Sequence, residues 1–90
     1  MMLKITKTLE SERDVLLMLE GKITGEWAAL LDGVCNSYLL QEVDVQLDCA
    51  HVDFVDARGV EVLKNFPREH VTLMNAPGFV NQLLLIGDRP

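Results

Sequence analysis

Residues 43–66, VDVQLDCAHVDFVDARGVEVLKNF, decide how this chain folds. Val43, Val45, Leu47 and Cys49 alternate with Asp44, Gln46 and Asp48, which is the period of a strand covered on one face, the other being wet or lying at a sheet end. From Asp56 the period lengthens. Val60, Leu63 and Phe66 form the inner side of a helix with Ala57 and Val62 at its margins, and Pro67 stops it. The stretch therefore reads as a strand, a tight acidic loop and a short helix that opens at Asp56-Ala57-Arg58-Gly59. That strand-to-helix junction is where function is to be sought.

Working outward, the upstream sequence supplies a hairpin and a helix. Leu3, Ile5 and Leu9 alternate with Lys4, Thr6 and Thr8, so residues 3–9 read as a half-buried strand. A polar turn at Glu10-Ser11-Glu12-Arg13 leads into Asp14–Ile23, where uninterrupted Val15-Leu16-Leu17-Met18-Leu19 predicts a central strand covered on both faces. Thr24 is placed to cap the following helix, with Glu26 in its first turn. Trp27, Leu30, Leu31, Val34 and Tyr38 make its apolar stripe, and Gly33 weakens it by about 1 kcal/mol relative to alanine. A helix between two strands predicts a parallel crossover.

Downstream, His70–Met74 reads as a short strand. Asn75 is placed to cap a last helix, Pro77 suits its first turn, and Phe79, Val80, Leu83, Leu84 and Ile86 form its stripe before Gly87 ends it. The order β-β-α-β-α-β-α predicts one α/β domain over residues 1–90. Its sheet is mixed, of about four strands, antiparallel at the N-terminal hairpin and parallel later, with helices packed mainly on one face.

Composition removes several classes of function. With 49% hydrophobic and 24% charged residues, the chain is globular and not a disordered tail. A net charge of −6 with scattered lysines and arginines opposes binding to nucleic acid or to an anionic membrane surface. No stretch has the ~20 apolar residues of a membrane span, and the N-terminus has no cleavable leader pattern, so the expected location is the cytoplasm. Cys35 and Cys49 read as free core thiols; with His51 and His70 they are too dispersed for a metal site, and no cofactor is expected.

Catalysis finds no constellation either. Ser11 and Ser37 have no neighbouring histidine, Gly59 stands alone without a phosphate loop, and only Asp53 with Asp56 would serve as an acid-base pair. At the junction, Asp56 is a helix cap worth ~1 kcal/mol. Gly59 permits close backbone approach or an unusual turn. Arg58 opposes the helix dipole by about 0.3–1 kcal/mol, which predicts compensation by Asp53, by Asp56 or by an acidic group on a partner.

In their joint order, Leu19-Glu20-Gly21-Lys22-Ile23, the stretch VDVQLDCAHVDFVDARG and the run Leu73–Leu84 resemble the STAS family of sulphate-transporter and anti-sigma-factor-antagonist domains. The resemblance spans residues 3–87. It implies a non-enzymatic protein-protein interaction module that docks through Asp56, Ala57, Arg58, Gly59, Val60 and Glu61. The implied partner is an anti-sigma factor kinase; the alternatives are an accessory role beside a transporter ATPase or permease, and a small-molecule or nucleotide site. Family members of the antagonist type are phosphorylated at a hydroxyl within Asp-Ser-Ser-Gly, whereas here Ala57 and Arg58 occupy the hydroxyl positions and no phospho-acceptor remains. The family usually adds another strand and helix beyond the segment matching Asn75–Ile86. Their lack would leave a sheet edge or apolar surface for a partner or a homodimer.

Overall fold

Four strands and three helices follow one another in the expected order. In the computed structural model, which describes residues 2–86, they are β1 (Leu3–Glu10), β2 (Asp14–Ile23), α1 (Gly25–Leu40), β3 (Asp44–Val55), α2 (Ala57–Asn65), β4 (Val71–Met74) and α3 (Gly78–Ile86). The sheet order is β1-β2-β3-β4, with β1 antiparallel to β2 and the remaining pairs parallel. Ser11 closes the hairpin: its hydroxyl accepts from the N–H groups of Arg13 and Asp14. Gly87, the expected end of the last helix, lies outside the described residues.

One face of the sheet carries the core. Val15, Leu17 and Leu19 of β2, Val45, Leu47 and Cys49 of β3, and Val71 of β4 are buried, and the buried residues of all three helices join them in one cluster. Leu16 and Met18 point to the opposite face and are only half-buried. Thus β2 is an inner strand, yet the expectation that both its faces are covered is not met. Its cross-strand neighbours on the open face are mostly polar: Thr6 and Asp48 flank Met18, while Gln46 and the exposed Leu9 flank Leu16.

The helices sit closer to the sheet than their large side chains suggest. In α1 the buried residues are Ala28, Leu31 and Cys35, while Trp27, Val34 and Tyr38 pack half-buried against the core and Leu30 is 48% exposed. Small side chains at 28 and 35 let the helix axis approach, so the buried stripe is rotated from the one read by bulk. In α2 the buried residues are Gly59, Val62 and Leu63, with Val60 half-buried and Phe66 buried just past the helix end. In α3, Val80 is buried and Phe79 is 40% exposed. Asn75 is not its cap: it adopts a left-handed conformation (φ 56°) and donates its side-chain amide to Asp48, while the Pro77 carbonyl accepts the first helical N–H groups.

Gly33 lies on the exposed side of α1, where an added Cβ would meet nothing within 4 Å. Gly33→Ala is therefore expected to stabilise the domain by about 0.5–1 kcal/mol through backbone entropy alone, read as a higher urea midpoint. No helix among the described residues is long and apolar enough to cross a membrane.

Candidate docking site

The alternation of β3 breaks after Cys49. Beyond it the buried residues are Val52 and Val55, three apart, because the register with β2 slips between Met18 and Glu20 and again between Gly21 and Lys22. Each slip gives β3 an extra residue. The strand therefore runs on to Val55, and the acidic loop expected before Asp56 is instead bulged strand. Its outward side chains include His51, Asp53 and Phe54, all exposed.

Asp56 is the only residue between β3 and α2, and it joins three elements. Its backbone N–H donates to the Ile23 carbonyl at the end of β2 (3.2 Å). One carboxylate oxygen accepts the Gly59 N–H at 2.8 Å, capping α2. The other accepts the Gly25 N–H at 3.0 Å, at the first residue of α1. Thr24 has extended backbone angles but makes no side-chain cap, so the role expected of it is performed by Asp56 from another part of the chain. Gly25 has φ +47°, a conformation open to glycine that turns its N–H toward this carboxylate. One carboxylate thus sits at the positive ends of two helices.

Gly59 brings the first turn of α2 against β2. A Cβ there would collide with the Ile23 carbonyl oxygen and reach Val55 Cγ1 at 2.7 Å. Close approach, one of the two roles read for Gly59, is its function, and the residue faces inward. Ala57, Arg58 and Glu61 face solvent, Asp56 and Val60 are half-buried. Arg58 pairs with neither Asp53 nor Asp56: its Nε lies 3.9 Å from Glu61 one turn on, an exposed and weak contact. Asp53 instead holds Lys22 at 3.1 Å, and Asp56 is occupied by the two helix starts.

Phe54 is the residue that sequence reasoning missed here. It is 48% exposed, and the Lys22 ammonium stands 5.7 Å from its ring centroid. Uninterrupted alternation already places Phe54 on the open face with Asp44, Gln46 and Asp48; what the two slips in register change, with no local signature, is its surroundings, turning Val52 inward and His51 and Asp53 outward. The surface at this end of the sheet includes the half-buried Lys22 and the exposed Asp53, Phe54, Ala57, Arg58 and Glu61.

The candidates for chemistry lie apart from one another. His70 Nδ1 is 2.8 Å from Asp44 Oδ1 at the opposite end of the strands, and the Ser11 hydroxyl is engaged in its turn. Cys35 and Cys49 are buried free thiols; burial pushes them up to about 12 and about 11, so neither forms a thiolate near neutrality. Among the described residues no group of three or more histidine, cysteine or carboxylate side chains is placed to hold a metal ion.

A hairpin that opens into a parallel sheet, with three helices on one face and a capped helix start at the strand ends, is the α/β fold of SpoIIAA-like STAS domains. The anti-sigma factor antagonist SpoIIAA in its unphosphorylated form superposes with a TM-score of 0.75 at 15% identity, over 93% of this chain and 84% of its own. An antisigma-factor antagonist STAS domain from Rhodobacter sphaeroides gives 0.56 at 19% identity, over 82% and 87%. An uncharacterized protein with a SpoIIAA-like fold from Shewanella loihica PV-4 gives 0.58 at 12% identity, over 97% and 77%. At these identities the likeness is one of fold. No family profile matches this sequence, and no curated protein does.

Proposed function

We propose that this chain is a non-enzymatic protein-protein interaction module of the anti-sigma-factor-antagonist kind, docking through the opening turn of α2. The observation that carries this reading is the junction itself. Asp56 and Gly59 spend their polar and steric capacity on holding the turn against β2 and α1, which leaves Ala57, Arg58 and Glu61 exposed on a rigid support. Presenting a pre-ordered surface lowers the entropy lost on docking.

Two of the fold's solved relatives are named antagonists of anti-sigma factors, so the proposed partner is an anti-sigma factor. Neither Ala57 nor Arg58 has a hydroxyl to carry phosphate. Where a phosphate would add nearly two negative charges, Arg58 adds a positive one. The module accordingly works in one state, and recognition rests on shape and charge.

The test is a titration of the purified chain against the anti-sigma factors of its own source organism. Arg58→Glu is expected to weaken the complex about tenfold or more, equivalent to about 1.4 kcal/mol. The thermal midpoint should stay within a degree or two, because the partner lost among the described residues, Glu61, is an exposed one. Unchanged affinity would remove the turn from the interface.

A further inference from the structure

At the other end of α2, away from its docking turn, a cleft of about 300 Å³ opens between α2, β4 and α3. Its walls are apolar: Leu63 and Phe66 from α2 and the residue after it, Val71 and Leu73 from β4, and Leu84 from α3. Lys64, Arg68 and Thr72 line it as well. The volume lies at the lower end of the range for small-molecule sites, and an apolar hollow with one or two placed charges is their usual composition.

Lys64 gives the hollow its sign. It stands half-buried in the last turn of α2, and among the described residues no carboxylate lies within ion-pair distance of it. In a chain of net charge −6, a cation without a carboxylate partner beside an apolar cleft is a local reversal of the prevailing field. Complementing the helix dipole accounts for a cation at this position. It does not account for the hollow next to it.

We propose that this cleft binds a small amphiphilic anion, with a short aliphatic chain against Leu63, Val71, Leu73 and Leu84 and a carboxylate head paired with Lys64. A neutral head would leave the ammonium uncompensated where the ligand displaces water, and a polyanion such as a nucleotide would place charge on the apolar walls. The proposal is independent of the docking surface, which lies at the opposite end of the same helix.

The experiment is an NMR titration of the whole ¹⁵N-labelled chain with sodium octanoate, and in parallel with octanol. Octanoate is expected to saturate below about 10 mM, an affinity consistent with a ligand of this size, shifting amides of residues 63–73 and 84 and leaving residues 54–60 in place. Octanol should bind about tenfold more weakly. Lys64→Gln should weaken octanoate about tenfold and leave octanol unchanged, while Leu84→Trp should fill the cleft and abolish both. Shifts centred elsewhere, no saturation, or equal binding of acid and alcohol would each overturn the proposal. Should Leu84→Trp fail to fold, Lys64→Gln decides, because its change is confined to a half-exposed helix end.

Discussion

Gly59→Ala is expected to destabilise the domain by about 3 kcal/mol, the upper part of the range for overpacking, although alanine is the better helix former by about 1 kcal/mol. The reason is what the new Cβ would meet. Ahead of it stands the Ile23 carbonyl oxygen, and that oxygen is fixed because it accepts the Asp56 N–H. Beside it, Val55 Cγ1 would lie at 2.7 Å, on a β-branched side chain with little freedom to rotate away. Relief therefore requires α2 to lift from the end of β2, which stretches the Asp56 bonds at the same time. Against a total of about 5–13 kcal/mol for a chain of this length, the loss is a large share. Urea unfolding would show it as a fall in midpoint at constant slope. Gly33→Ala is the internal comparison: the same substitution in a helix should move the midpoint the other way. A Gly59→Ala protein within 1 kcal/mol of the parent would mean that the first turn of α2 is not pinned as described.

The contrast between those two glycines shows where sequence reading stops. Both sit in helical runs, and their spacing is equally helical; what separates them is the close approach of Ile23, far along the chain, together with Val55. The same division runs through the fold. The order of elements, the antiparallel hairpin and the parallel crossovers follow from hydrophobic periods and turn residues, which are local, and they stand as read. What failed depended on register or distance. The burial of Val52, which plain alternation puts on the polar face, comes from two slips between β2 and β3, and the identity of Arg58's neighbour follows once Lys22 has taken Asp53. The buried stripe of α1 was misjudged for a related reason: large residues mark a helix face in sequence, but small ones such as Ala28 mark where a helix is closest to its sheet. For the candidate site, Asp56 was legible as the cap of α2, since an aspartate before a helical run has that meaning anywhere. Its hold on Gly25 was not, because 31 residues separate the two.

That second hold leads to the other large effect. Asp56→Ala is expected to destabilise the domain by about 2.5–4 kcal/mol, combining the loss of an N-cap, ~1 kcal/mol, with that of a charge-assisted hydrogen bond, about 1.5–3 kcal/mol. Both N–H groups lose their acceptor together: Gly59 at 2.8 Å from one oxygen and Gly25 at 3.0 Å from the other. Asparagine separates the two contributions. Its single carbonyl oxygen can still cap α2, but its amide group then presents a donor to the Gly25 N–H, so one of the two contacts turns from attraction to opposed donors. Asp56→Asn should therefore fall between wild type and Asp56→Ala in stability. Native-state hydrogen exchange should locate the deficit, with faster exchange at Gly25 and little change at Gly59. If Asp56→Asn matched wild type at both amides, the carboxylate would be a cap for α2 alone, and the two helix starts would not be held by a single side chain. The expected pattern instead makes Asp56 the residue that sets the orientation of the Ala57-Arg58 turn relative to α1. On that account Asp56→Asn should also weaken partner binding, in proportion to the protection lost at Gly25.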